Sequence, residues 1–200
     1  MIRPWLCALP LLGALIGTPC ADELDKQAEK VFAASYGERC TWYVEDEERP
    51  APERYSFSYP GYDEQTDEVT VFRYFCMSGA YNVIHAYLIA REHDAVLPLQ
   101  FPAPDFDAKM ENDSLEAALD SLTVTGMTVE PVLVNSEIDA ETGTIRSFSL
   151  WRGLGDASSS GTWELAEDHY VLTHYEVDPS YDSEMNPVVA VDFPSPPVTP

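Results

Sequence analysis

From Asp22 to Tyr36 the apolar positions recur at helical spacing. Leu24, Ala28, Val31, Phe32 and Ser35 share one face, while Asp25, Lys26, Glu29 and Lys30 fall largely elsewhere. The pattern predicts an amphipathic helix, with Gly37 as its stop. A second stripe, Leu115, Ala118, Leu119 and Leu122, predicts a helix over about Ser114 to Leu122, where Asp113 and Glu116 have the spacing of a non-consensus capping box. Elsewhere the period becomes the alternation of a strand. Strands are predicted over Tyr55 to Tyr59, Glu68 to Cys76, Tyr81 to Ala90, Val96 to Phe101, Leu122 to Val129, Val132 to Asn135, Thr144 to Trp151, Gly161 to Leu165 and Tyr170 to Val177. The acidic stretch from Glu45 to Glu53, interrupted by Pro50 and Pro52, reads as a loop, and Pro194 to Pro200 as a proline-rich extended tail.

The strand patterns echo each other. At a separation of about 76 residues Asp63, Thr66 and Phe72 meet Asp139, Thr142 and Phe148, with Val69 over Ile145. After a change of spacing, Ser78-Gly79-Ala80-Tyr81 echoes Ser160-Gly161-Thr162-Trp163, and Glu92-His93 echoes Asp168-His169. Two similar hairpin-rich halves, about 55–107 and 131–182, would each expose an apolar face and so share one core. The expected fold is mainly β: an antiparallel barrel-like or sandwich arrangement, with an N-terminal helix and a helix between the halves.

Composition places this fold in a compartment. Arg3 is the only charge before Asp22, Trp5 to Ile16 is apolar apart from small residues and Pro10, and Thr18-Pro19-Cys20-Ala21 ends on a small residue. This order predicts a cleavable secretory leader over residues 1–21 and a single domain over 22–193, in the periplasm or outside the cell. The apolar run is short for a bilayer span, and Pro19 is a poor neighbour for lipid attachment at Cys20. Without the leader, Cys40 and Cys76 remain as the expected disulfide. The 11 Lys and Arg stand against 35 Asp and Glu, a net charge of −24 that repels nucleic acid and anionic lipid heads. The expected partner is a periplasmic protein or a small ligand.

Candidate chemistry is thin. Trp151 is followed by Arg152-Gly153-Leu154-Gly155-Asp156, a glycine-bearing loop after a strand. One reading makes Arg152, Asp156 and the indoles of Trp151 and Trp163 a small ligand site, with Arg offering a planar fork and Trp stacking area. The other has Asp156 accepting loop amides and pairing with Arg152, both tryptophans being in the core. Tyr81, Asn82 and His85 mark a second candidate. By alternation Tyr81, Val83, His85 and Tyr87 share one face of their strand, which suits a groove or a sheet surface half-covered by loops. The histidine spacings match no zinc site. Calcium has two candidate turns, Asn135, Glu137, Asp139 and Glu141, and Asp178, Asp182, Glu184 and Asn186; otherwise no cofactor is expected. No nucleophile-elbow pattern is present.

The segments Cys76-Met77-Ser78-Gly79-Ala80-Tyr81-Asn82 and Arg152-Gly153-Leu154-Gly155-Asp156, with Trp163 downstream, resemble two signatures of a proteobacterial exported family classed as a domain of unknown function. The hairpin from Asp139 to Ile145, with Asn135 ahead of it, resembles the same family, and the similarity covers roughly residues 70–175. The resemblance implies a periplasmic β protein. Ala157 stands where such members carry Cys, which implies that any second bridge of theirs is missing here. The leading functional expectation is a non-enzymatic binding or interaction protein. The alternatives are an envelope-polymer hydrolase using carboxylates near Arg152 and Asp156, and an inhibitor of a basic enzyme such as a lysozyme.

Overall fold

The computed structural model describes residues 19–42, 48–60, 66–91 and 95–196; most of the expected leader, part of the acidic loop and the end of the tail lie outside them. The N-terminal helix α1 (Pro19–Tyr36) forms as its apolar period predicts. Twelve strands follow in the described residues: β1 (Glu53–Pro60), β2 (Thr66–Ser78), β3 (Val83–Arg91), β4 (Leu97–Pro98), β5 (Phe101–Met110), β6 (Leu119–Glu130), β7 (Leu133–Val134), β8 (Glu137–Ile138), β9 (Ile145–Leu150), β10 (Ser158–Ala166), β11 (His169–Asp178) and β12 (Val188–Asp192).

All pairings are antiparallel. One sheet runs β1-β2-β3-β4, with β7 also on β3; a second runs β12-β11-β10-β9-β8; β5 and β6 form a two-stranded ribbon. The two large sheets make a sandwich-like pair rather than a closed barrel. Val69, Val71, Tyr87 and Ile89 of the first meet Ile145, Trp163, Tyr170 and Leu172 of the second, with Phe101 of the ribbon among them. The opposite face of the first sheet is covered by α1. Ala28, Phe32 and Tyr36 pack on Phe72, Tyr74, Ala86 and Leu88, and Phe32 stacks on Tyr74 at 4.2 Å between ring centroids. Ser35, expected on that face, is exposed, and Tyr36 takes the buried place one position further on. The Cys40–Cys76 disulfide joins the chain just past α1 to β2, as expected.

The helix expected over Ser114 to Leu122 does not form. The chain makes a short 3₁₀ turn at Glu111–Asp113 and enters β6 at Leu119. Asn112 and Asp113 take positive φ values of 58° and 52°, which Asn and Asp tolerate in tight turns, and Glu111 N–H donates to Ala118 O at 2.9 Å. The residues read as a helix cap are the turn of a hairpin. The expected apolar stripe has nothing to bury it, since Leu115 is exposed, and pairing of Met110 with Leu119 and Ala108 with Leu122 holds the strand instead. The ribbon strand β5 escaped sequence reading because Pro102 and Pro104 break its pattern.

Apart from β7 on β3, each large sheet is a local meander, and the start of β2 and β9 occupy the aligned stretches of the internal echo. The second echo is not structurally equivalent: Ser78 ends β2 and Gly79 to Tyr81 make a turn, whereas Ser160 to Trp163 lie within β10.

Candidate functional site

The two glycine-bearing segments singled out in the sequence meet each other. After β2 the chain turns at Gly79, whose N–H donates to Asn82 O at 2.7 Å. Tyr81 then lies against Gly153, its ring 3.5 Å from where a side-chain carbon on that glycine would stand. Asn82 crosses between the sheets: its Nδ2 donates to Leu150 O at 2.8 Å, and its Oδ1 accepts from Leu150 N–H and from Asn135 Nδ2. Asn135, in a left-handed conformation at φ 43°, accepts Val83 N–H on its Oδ1 and donates to Phe148 O. This amide pair fastens the start of β3 to β9.

Across this seam, Arg152 Nε donates to Asp156 Oδ1 at 2.7 Å, and its Nη2 donates to Asp156 Oδ2 and to Tyr181 O. The guanidinium also lies 5.1 Å from the centroid of the Tyr181 ring. Asp156, 1% exposed, additionally accepts Ser183 N–H. The Arg152 guanidinium and the amides of Ala157 and Ser183 hold its carboxyl well below the usual carboxylate range, against the cost of desolvation. Arg152 and Asp156 therefore tie the loop after β9 to the turn after β11. Asp178 binds that same turn from within, accepting Ser180 N–H and Oγ–H on one oxygen and Asn186 N–H on the other.

The same economy governs the two turns considered for calcium. Asp139 Oδ1 accepts the amides of Glu141 and Thr142, and Asp182 accepts Glu184 N–H. Among the described residues no group of three or more His, Cys, Asp or Glu is placed to hold a metal ion.

His85 lies inside rather than on an open groove. Tyr87 and Ile89 of its face enter the core between the sheets, and Ala86 and Leu88 enter the core beneath α1. Its imidazole meets Arg73 Nη2 at 3.1 Å and Ser136 Oγ at 3.2 Å; Tyr87 O–H donates to Ser136 Oγ, and Arg73 reaches out to Glu53. Burial and the Arg73 guanidinium push the imidazole down to about 4, against the pull of Glu53. Ser136 is buried at 1% exposure, so this serine and histidine present no nucleophile to a substrate.

The tryptophans frame a different feature. Trp163 is 2% exposed, and its Nε1–H donates to Pro102 O at 2.8 Å. Trp151 is half-buried, with its Nε1 3.4 Å from Ser159 Oγ. Between them, where the two sheets part beside β7, lies a cleft of about 280 Å³ walled by Trp151, Trp163 and Tyr175. Ser147, Ser149, Ser159 and Ser160 line it, and Glu130 at the end of β6 is its one formally charged residue. Burial pushes the Tyr175 phenol up and the Glu130 carboxylate adds to this, against a hydrogen bond with Ser159. Of the residues singled out in sequence, the cleft takes Trp151 and Trp163. Tyr81, Asn82, Arg152 and Asp156 form the seam beside it, and His85 the buried network. Tyr175 and the four serines were missed; the alternation Ser147, Ser149 on β9 was the available signal, because small hydroxyl residues on an inward face leave room.

Fold and site together define a mainly antiparallel β protein, with a helix disulfide-linked to one sheet and an aromatic cleft where two sheets part. The chain belongs to the family described as Protein of unknown function (DUF1176), whose model matches residues 18–185. No curated protein and no solved structure matches it.

Proposed function

We propose that this is a non-enzymatic binding protein of the periplasm or cell exterior, whose cleft takes a small uncharged ligand with a flat apolar face and hydroxyl groups. The observation that carries the reading is the meeting of Trp151, Trp163 and Tyr175 with the hydroxyls of Ser147, Ser149 and Ser159 in one cleft. Half-buried Trp151 and Tyr175 supply stacking area above the buried Trp163, and the serines supply donors and acceptors, the combination by which sugars and similar polyols are held. The net charge of −24 disfavours an anion. The leader-like first twenty-one residues and the Cys40–Cys76 bridge support an oxidising compartment, and the similarity of the two glycine-bearing segments to the exported family is consistent with it. Binding is favoured over hydrolysis of an envelope polymer because Asp156, the carboxylate for which catalysis was considered, is held ionised against Arg152 above buried Ala157 and Ser158.

Titration with neutral mono- and disaccharides, followed by tryptophan emission, tests this. The reading expects a saturable change that Trp151→Ala abolishes and that matched uronic acids do not reproduce. A folded wild-type protein giving no saturable response to any neutral sugar overturns it.

A further inference from the structure

Among the described strands, β6 carries the longest unbroken exposed run. Its twelve residues pair on one side only, with β5, and Thr123 to Glu130 are exposed throughout. Val124, Met127 and Val129 stand 39%, 49% and 53% exposed. Ser121 to Val129 carries no charge and no proline, and is rich in Thr and Val, residues that favour an extended pleated backbone.

The prolines of β5 show which way the backbone of β6 points. Proline has no N–H, so Pro102 and Pro104 fit the ribbon where the ladder asks for no donor; their opposite numbers are Val129 and Met127. In such non-hydrogen-bonded pairs the N–H and C=O of Val129 and Met127 point away from β5 and are offered along the outer edge. The ribbon's other edge is less suited to growth: β5 packs on β11 along more of its length than β6 packs on β12, lacks donors at two positions and carries Asp105, Asp107 and Lys109.

Charge selects the occupant. Asp120 and Glu130 close the two ends of the uncharged run, Asp107 is exposed on β5, and the Asp105 carboxylate lies beside Gly126, 3.7 Å from where a side-chain carbon there would be. Lys109 is the ribbon's single base. A second copy pairing antiparallel about Thr125 would set Asp120 opposite the copy's Glu130 at both ends, where like charges oppose pairing. An extended segment carrying Lys or Arg meets complementary charge at the ends and beside the middle.

We propose that the free edge of β6 receives an extended basic segment of a partner protein by antiparallel or parallel strand addition, over nine residues or about 30 Å. The proposal shares Glu130 with the cleft, so its charge test uses Asp107 and Asp120, which do not line it. Its probe is a labelled nine-residue peptide, Lys-Val-Thr-Val-Lys-Val-Thr-Val-Lys, followed by fluorescence anisotropy against the full chain. Two companion peptides separate backbone pairing from charge: one with Glu for each Lys, one basic but N-methylated at alternate amides.

The expected result is saturable binding of the basic peptide, weakened about tenfold or more by N-methylation, by Met127→Pro and by the pair Asp107→Lys, Asp120→Lys. The acidic peptide should not bind. The charge-reversed pair replaces exposed side chains only, so it keeps the test decisive if Met127→Pro fails to fold. Equal binding of the N-methylated peptide would reduce the effect to charge attraction and overturn strand addition. No binding of the basic peptide, or a wild-type dimer that Met127→Pro dissociates, also overturns the proposal.

Discussion

Gly161 lies directly under the Trp163 indole. A side-chain carbon there would meet the ring's Cη2 at 2.3 Å, while the indole is held from its other end by the bond to Pro102 O. The ring cannot yield without losing that bond or opening the core around Phe101. Gly161→Ala should therefore destabilise the protein by about 1–3 kcal/mol, read as a lower denaturation midpoint with altered near-ultraviolet dichroism. His85 makes a second prediction at this scale. Its imidazole takes up a proton at about 4 in the folded protein, whereas an unfolded chain does so at about 6.5. Between those values the unfolded state binds more protons, so stability falls as pH drops from about 6.5 toward 4. Urea midpoints measured across that window should decline in wild type and flatten in His85→Gln; an equal slope in both proteins counts against the assignment.

Among the elements, α1 depends on the first sheet and the sheet on its bridge. The Cys40–Cys76 bond closes 36 residues that contain β1 and most of β2. Replacing both cysteines by Ser should cost about 3–4 kcal/mol in the loop-entropy account, and the loss should match that of reduced wild type in an equilibrium urea titration. The apolar period of α1 was legible because its partner face, Phe72, Tyr74 and Leu88, buries the same stripe that the sequence displays. The stripe at Leu115, Ala118, Leu119 and Leu122 shows the converse. It has helical spacing and no surface to cover, and hairpin pairing with β5 decides its conformation.

For the whole molecule, the net charge of −24 is the dominant long-range term. Simple salt tests this with the native chain. Raising NaCl from about 10 to about 300 mM shortens the screening length from roughly 30 to under 10 Å and should raise the melting temperature by relieving self-repulsion. An unchanged or lower value would mean that specific ion pairs, such as Arg73 with Glu53, outweigh the net repulsion. The candidate site lies at this scale too. Trp151 and Trp163 were visible as residues, but the cleft exists only because β9, β10 and β11 bring them to Tyr175 and the serines.

Local pattern was enough for what depends on neighbours in the chain: helix α1, most of the long strands, the antiparallel meanders and the Cys40–Cys76 bridge, since alternation, turn residues and a count of cysteines are local properties. It was also enough to name Arg152 and Asp156 as a pair. The partners that surround the pair come from Tyr181 and Ser183, about thirty residues away, which no local pattern records. The burial of His85, the closure of Asn82 onto β9 and the exposure of β6 were likewise settled by packing between segments distant in the chain. Periodicity records which side of an element is apolar; only the assembled sheets determine which sides are covered.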